Sequence, residues 1–200
     1  AEPMQDLHRR YHKALARWPN CSQLRIPVSY SYQEYSPESG GMAVDVEDTI
    51  DELRENESGE LCRLVLMSSS LINNPGKSSA TYHFKTMMQG WITHVAAHLP
   101  VIGMGWYRMT TELVSKNGSI IFTPLKADRA EVYFRDMLAA WLIGVKKPLP
   151  LALSSGFAAI KSMGDEESRG PILDMEAAEA AFLRELEFDQ GYLQRAFADF

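Results

Sequence analysis

Ser-Ile-Ile-Phe-Thr-Pro-Leu-Lys, residues 119–126, is the stretch of this sequence that decides the fold. Its β-branched and aromatic residues favour a strand. Pro124 must end that strand or lie at a sheet edge, because proline has no N–H to donate to a neighbouring strand. Upstream, Asn117-Gly118 follows Glu112-Leu113-Val114 and is typical of a hairpin turn. The sequence therefore predicts a β-hairpin whose second strand stops at Pro124.

Pro124 and Lys126 stand two residues apart, so in an extended chain their side chains project from the same side. In metal-dependent nucleases of the PD-(D/E)xK type, a carboxylate and a lysine have this spacing and meet at one metal–phosphate site. The stretch resembles such a strand with Pro124 in place of the acid. An ordinary hairpin ended by a proline explains the same residues, and this segment alone leaves both interpretations open.

A helix is predicted after Lys126, because apolar residues follow it at the spacing of a helix buried along one wide face. These residues are Ala130, Tyr133, Phe134, Met137, Leu138, Trp141 and Leu142. The spacing places Trp141 in the core, and Gly144 is expected to end the helix. Lys146–Pro150, which contains Pro-Leu-Pro, then forms a stiff connector to a helix from Ala152 to Met163.

This order of hairpin, helix, Pro-Leu-Pro connector and helix resembles the C-terminal domain of RecC, the gamma subunit of bacterial exodeoxyribonuclease V. Upstream, Phe84–His94 is similar to the amphipathic helix that precedes the hairpin in that family. Downstream, Phe188–Phe200 is similar to its closing acidic and aromatic segment. The resemblance covers residues 80–200, with a fainter likeness in residues 26–67.

The resemblance implies an α+β fold, a small mixed sheet flanked by helices, like that of PD-(D/E)xK nucleases but without their active site. Of the Asp-x-Lys pattern only Lys126 is matched, since Pro124 takes the place of the acid. The strand Gly103–Arg108 stands where those enzymes have their first metal-binding aspartate, and it contains no acid. Magnesium is normally held by one or two carboxylates plus substrate phosphate. A degenerate site near Pro124, Lys126 and Arg108, with no metal and no catalysis, is therefore expected.

The resemblance also implies partners: a RecB-type subunit, a RecD-type subunit, and DNA within the complex. ATP and magnesium then belong to other subunits, this chain holds no cofactor, and the location is the cytoplasm. Trp106, Tyr107 and Arg108 are candidate DNA contacts, since aromatic and basic side chains together can stack on bases and neutralise phosphates. Four apolar residues of the tail are candidate interface residues: Tyr192, Leu193, Phe197 and Phe200.

Two other functions stay open on the sequence. One is an active, divergent PD-(D/E)xK nuclease that uses Glu112 or another displaced acid together with Lys126. The other is a protein-interaction module unrelated to DNA.

Length and composition predict one folded domain over residues 1–200, with a possible helical appendage at 1–20 and an internal linker at 68–77. The lack of an initiating Met indicates a processed protein or a fragment of a larger chain, and the fragment is the favoured interpretation. The net charge of −6 argues against strong autonomous DNA binding. No apolar run has the length of a membrane-spanning helix, and the first residues lack the pattern of a signal peptide. Cys21 and Cys62 make no zinc motif and fit a reduced compartment.

Periodicity and turn signals give the remaining elements. They are a helix over Met4–Trp18, a strand around Val28–Tyr32, a loop at Ser36–Gly41, a short acidic helix over Asp45–Asn56, a buried strand over Leu61–Met67, and a helix over Met175–Leu186 capped by Asp174.

Four histidines form two pairs at helical i, i+4 spacing, His8 with His12 and His94 with His98. This spacing can place two imidazoles on one zinc ion, but a site also needs a third ligand, and neither pair has the His-Glu-x-x-His pattern. Surface or partly buried histidines are therefore expected rather than a metal site.

Overall fold

Within the described residues, five strands form a mixed sheet, and the other strands form three two-stranded sheets. The structure, a computed structural model, describes residues 2–33, 41–78, 80–100, 107–146, 153–162 and 172–188. Its elements in chain order are α1 (Glu2–Arg17), β1 (Asn20–Cys21), β2 (Ile26–Gln33), β3 (Ala43–Ile50), β4 (Leu53–Glu55), β5 (Leu61–Leu66), β6 (Ile72–Asn73), β7 (Thr81–Tyr82), α2 (Phe84–Ala96), β8 (Met109–Ser115), β9 (Gly118–Phe122), α3 (Ala127–Lys146), α4 (Leu153–Ala159), β10 (Ile160–Ser162), β11 (Ile172–Leu173) and α5 (Met175–Phe188). The expected α+β class is confirmed.

The mixed sheet has the order β1-β4-β5-β8-β9. Only β5 and β8 run parallel, and α2 lies in the crossover between them, as parallel neighbours require. The other pairs are antiparallel. β9 is therefore an edge strand of this sheet.

The hairpin of β8 and β9 is confirmed, with Ser115 paired to Gly118 across a turn of Lys116 and Asn117. The side chain of Asn117 anchors this turn, because its Oδ1 accepts bonds from Leu71 N (3.1 Å) and Ser115 Oγ (2.7 Å). Gly118 packs so closely on Ile72 that an added Cβ would lie 2.6 Å from Ile72 Cδ1. Local turn chemistry and a close contact together set the register of the hairpin.

Helices cover both faces of the mixed sheet at β8. Leu7 and Ala14 of α1 pack on Val114 from one side. Met87 of α2 packs on Leu113 from the other. Full burial of the larger of these side chains, Leu7, Met87, Leu113 and Val114, contributes roughly 1.5–3 kcal/mol each. The predicted helix at the start of the chain is thus part of this packing rather than an appendage to it.

The largest core cluster joins the β2–β3 hairpin to α2 and α3. Ile26 and Val28 of β2 are buried in it with Val95 of α2 and Phe134 of α3. Tyr30 contributes an edge-on ring contact to Phe134, with centroids 5.3 Å apart. The strand predicted around Val28–Tyr32 is confirmed by this packing.

The acidic helix predicted over Asp45–Asn56 is wrong, since these residues belong to β3 and β4. Val44 and Val46 alternate with Asp45 and Glu47, and this period of two matches a strand that buries one side. The valines lie half-buried opposite β2, with Val46 paired to Tyr30. The alternation of apolar and acidic residues was the decisive signal, and it predicts a strand rather than a helix.

The core position predicted for Trp141 is also wrong, because its side chain is 55% exposed. Leu142, the next residue, is 1% exposed, so the core extends this far along α3 and Trp141 lies beside its buried side. Periodicity places both residues on one wide apolar face, but it does not show which part of that face the neighbouring elements cover. Val145, one turn after Trp141, is likewise exposed. The helix also continues past Gly144 to Lys146.

The predicted linker at residues 68–77 contains structure. Ile72 and Asn73 form β6, which pairs with β7, and Leu71 beside it is fully buried. Leu71 belongs to the small core under α2 with Met87 and Leu113. This stretch therefore contributes to the packing against the sheet.

The chain forms two compact units, Ala1–Leu142 and Ile143–Phe200. In the second, α4 packs with α5, and β10 pairs with β11. Asp174 caps α5 as predicted, since its Oδ1 accepts a bond from Ala177 N at 3.0 Å. The helix predicted over Ala152–Met163 is shorter, ending at Ala159. That residues 1–200 act as a single domain stays a prediction.

Within the described ranges, no helix combines the length and apolar character needed to cross a lipid bilayer. The predicted loop at Ser36–Gly41 lies outside these ranges except for Gly41, and so do residues 147–152, which hold the Pro-Leu-Pro connector.

Candidate functional site

The segment Pro124–Lys126 connects β9 to α3. Pro124 and Lys126 are exposed, whereas Leu125 between them is half-buried against the main core. The two side chains thus alternate with Leu125 as expected for an extended chain. Lys126 O accepts a bond from Ala130 N at 3.0 Å and so begins the helix. The only charged group that this segment presents is the Lys126 ammonium.

Glu112, the acid that an active enzyme would use with Lys126, lies in the middle of β8 and is 1% exposed. Its carboxylate forms an ion pair with Arg17 at the end of α1 and accepts a longer bond from Trp18 Nε1 (3.4 Å). The neighbouring Thr111 points to the opposite face of the sheet, toward α2. Glu112 is therefore held by α1.

Cys62 of β5 lies close to Glu112 and is fully buried. Burial first, and then the Glu112 carboxylate, raise the pKa of its thiol to about 12. A thiol is nucleophilic only as the thiolate, so Cys62 is chemically inert at neutral pH. Cys21 is exposed, and both cysteines are free thiols.

A metal site built from three or more histidines, cysteines or acids does not occur in the described part of the chain. Lys126 is therefore not part of such a group of three or more ligands in the described residues. His8 and His12 are exposed on α1, with their Nε2 atoms 2.9 Å apart in a mutual hydrogen bond. They lack a third ligand among the described residues.

His94 and His98 differ from this surface pair, because both are fully buried at the end of α2. His94 Nδ1 lies 2.9 Å from Thr111 Oγ1, and its Nε2 lies 3.0 Å from the carbonyl oxygen of Thr123. His98 Nδ1 lies 2.7 Å from His94 O, and its Nε2 accepts a bond from Met109 N at 3.2 Å. The two imidazoles thus join α2, β8 and the residue before Pro124.

Aromatic side chains pack around His94: Trp91 and Phe122 contact its ring, and Tyr133 of α3 contacts Trp91. Trp91 stacks on His94 with ring centroids 5.7 Å apart and meets Phe122 edge-on at 5.3 Å. Tyr133 of α3 contacts Trp91 at 5.9 Å. This apolar packing desolvates the histidine.

The candidate DNA contacts are placed only in part. Tyr107 is half-buried and packs against the main core, whereas Arg108 beside it is exposed. Trp106 lies outside the described residues, as do the candidate interface residues of the tail, Tyr192, Leu193, Phe197 and Phe200. Their roles stay predictions.

Sequence reasoning missed two features of this region. The spacing of His94 and His98 was noted, but nothing in it indicates that Thr111 and Thr123 complete a buried network. The pairing of Arg17 with Glu112 joins residues 95 positions apart. The available signal was the acid itself, since a carboxylate in an apolar strand requires a partner.

The protein-family model described as RecC C-terminal domain matches residues 1–164 of the chain. The matched range includes the hairpin, Pro124–Lys126 and the Pro-Leu-Pro connector. It also covers residues 1–79, where the sequence showed at most a fainter likeness, and it ends before the closing segment Phe188–Phe200. No curated protein matches the chain.

Proposed function

The chain belongs to the RecC C-terminal domain family, and from this we propose that it is a non-catalytic scaffold and DNA-guiding domain. Family membership points to the gamma subunit of a RecBCD-type helicase–nuclease, exodeoxyribonuclease V, which acts in DNA repair and recombination. The partners it implies are RecB- and RecD-type subunits and DNA. The family match is the observation that carries the proposal, and the site geometry adds the argument on catalysis.

The expected positions of the metal-binding carboxylates in this chain do not provide the ligands that a nuclease needs. Hydrolysis of a phosphodiester with magnesium requires carboxylates that hold the ion beside the phosphate. Pro124 offers no ligand atom in its side chain, and Glu112 is already paired with Arg17. Using Glu112 as a metal ligand would break its ion pair with Arg17, which holds α1 on β8. We therefore assign ATP, magnesium and strand cleavage to the other subunits.

The net charge of the chain limits the way in which it could guide DNA. At a net charge of −6 the chain has no general field that attracts phosphate. Contacts with DNA must then be local, and the exposed Arg108 is the described candidate for one. Affinity for DNA would come mainly from the assembled complex, which acts in the cytoplasm.

The divergent active nuclease is the less favoured candidate, because Glu112, the acid named for it, is buried and paired with Arg17. A module unrelated to DNA is disfavoured by the family match.

A nuclease assay tests the proposal. The purified chain is incubated with linear double-stranded and single-stranded DNA in magnesium and in manganese, beside Lys126→Ala and Glu112→Gln variants. We expect no cleavage by any of the three proteins. Metal-dependent cleavage by the parent chain that Lys126→Ala abolishes would overturn the proposal and restore the active-nuclease alternative.

A further inference from the structure

The hydrogen bonds of His94 and His98 fix which nitrogen of each ring carries a proton. A carbonyl oxygen can only accept, so His94 Nε2 donates to Thr123 O and His98 Nδ1 donates to His94 O. A backbone N–H can only donate, so His98 Nε2 must be the unprotonated nitrogen that accepts from Met109. His98 is therefore neutral with its proton on Nδ1, and His94 carries a proton on Nε2.

The two rings respond differently to an added proton. At His94 the new N–H would face Thr111 Oγ1, and a hydroxyl can turn to accept it. At His98 the new N–H on Nε2 would point at the N–H of Met109, 3.2 Å away, and neither group can accept. Charging His98 is thus incompatible with its bond to β8.

Among the described residues that contact the pair, none is a carboxylate that could stabilise a charged ring. The described groups that face the pair are Met109 and Thr111 of β8, Phe122 of β9, Thr123 before α3 and Trp91 of α2, with Tyr133 of α3 packed on the tryptophan. Apart from tyrosine, none of these is titratable. The two histidine rings are 4.5 Å apart at their centroids, so a proton on one opposes a proton on the other. Glu112 lies on the opposite face of the sheet.

We propose that His98 and Met109 form an acid-sensitive clasp that fastens the C-terminal end of α2 to the first residue of β8. At neutral pH the unprotonated Nε2 of His98 accepts the Met109 N–H and holds the junction closed. Protonation of His98 places two donors against each other and releases it. The clasp does not depend on the assembly in which the chain works.

The acid sensitivity has a defined direction. Burial lowers the pKa of His98, and burial together with the neighbouring His98 lowers the pKa of His94 from 6.5 to about 4. In the unfolded chain these histidines titrate near pH 6.5. Because the folded pKa values are the lower ones, the stabilisation is complete above pH 6.5 and is lost as the pH falls through the folded pKa of each ring.

Loss of the bond between His98 and Met109 would also change the backbone position of Arg108, the candidate DNA contact, because Arg108 directly precedes Met109. This consequence rests on the proposed function, whereas the clasp itself does not. An experiment on the clasp alone therefore separates the two.

Hydrogen exchange of the Met109 amide tests the clasp in the full chain. Protection of this amide is measured at pH 7.5 and 4.5, corrected for intrinsic exchange, with the Met67 amide as internal reference because it bonds to Val114 O far from the pair. We expect Met109 protection to fall tenfold or more relative to Met67. An equal fall at both amides would indicate global unfolding by acid and would overturn the clasp.

His98→Gln is the matched variant, because the glutamine Oε1 can accept the Met109 bond but does not titrate. Its Met109 protection should lose the dependence on pH, while a His8→Ala/His12→Ala control retains it. Nitrogen-15 spectra of the parent histidines at pH 7.5 give a second readout if the glutamine variant does not fold. A proton on His98 Nε2 in those spectra would overturn the clasp.

Discussion

Arg17 and Glu112 form an ion pair that joins the end of α1 to the middle of β8, across 95 positions of sequence. The two ends of the pair differ in exposure, since the Arg17 side chain is 45% exposed and that of Glu112 is 1% exposed. Arg54 strengthens the same corner, because its guanidinium donates to the carbonyl oxygens of Trp18 (2.5 Å) and Pro19 (2.8 Å). Glu112, the acid considered for catalysis, therefore stabilises the packing of α1 on the sheet.

Arg17→Ala should destabilise the first unit by about 2–3 kcal/mol, because it leaves the buried Glu112 carboxylate without its cation. The value lies below that for a fully enclosed pair, since Arg17 is partly exposed. Urea unfolding followed by circular dichroism measures it. Arg9→Ala is the control, because the Arg9–Asp6 pair is exposed at both ends and should contribute about 0.5 kcal/mol or less. Equal effects of the two substitutions would show that Glu112 does not need Arg17.

The elements that were predicted correctly have local signals. The β8–β9 hairpin follows from Asn117-Gly118 between apolar runs, and α5 follows from Asp174 before a periodic segment. Each element is determined by residues that are close together in the sequence, whose spacing and capping side chains act directly on the local backbone. The end of β9 before Pro124 has the same kind of cause, a missing N–H.

The features that could not be predicted from the sequence depend on contacts between residues that are far apart in the chain. The parallel pairing of β5 with β8 brings Leu64 beside Glu112, and Leu64 packs with Leu7 and Ala14 of α1. The bond from His94 to Thr123 likewise joins residues 29 positions apart. Such contacts follow from the order of strands in the sheet, which periodicity does not encode. The prediction for Trp141 failed for a related reason, since the elements packed against α3 decide which of its apolar side chains are covered.

Trp141→Ala should lower the stability by about 1 kcal/mol or less, because the side chain is already more than half exposed. Phe134→Ala in the same helix should cost about 3–5 kcal/mol, since Phe134 is 6% exposed and packs on Tyr30. Thermal melts of the two variants make the comparison. A larger loss for Trp141→Ala than for Phe134→Ala would place the tryptophan in the core after all.

Gly90→Ala should destabilise the chain by about 1–3 kcal/mol although alanine is the better helix former. A Cβ at this position would lie 2.8 Å from Leu113 Cδ2, so the leucine must move within the core under α2. Gly156→Ala in α4 is the matched control, because a Cβ there meets nothing within 4 Å. That control should stabilise its unit by up to about 1 kcal/mol. A stabilising Gly90→Ala would mean that α2 stands further from β8 than described.

The chain should bind duplex DNA only weakly by itself, yet associate with a RecB-type subunit. Its net charge of −6 leaves the DNA affinity at about micromolar or weaker in physiological salt. The tail residues Tyr192, Leu193, Phe197 and Phe200 instead offer aromatic and aliphatic side chains of the kind enriched in protein interfaces. Fluorescence anisotropy with labelled duplex and calorimetry with the purified subunit measure the two affinities at one salt concentration.

The matched variant replaces those four tail residues by serine, which keeps the length and charge of the chain. It should lower the affinity for the RecB-type subunit by tenfold or more, because apolar anchors supply most of the energy of such contacts. DNA binding should stay unchanged, since no charge is altered. Nanomolar DNA binding by the parent chain, together with no detectable association with the subunit, would contradict the scaffold and indicate an autonomous DNA-binding module.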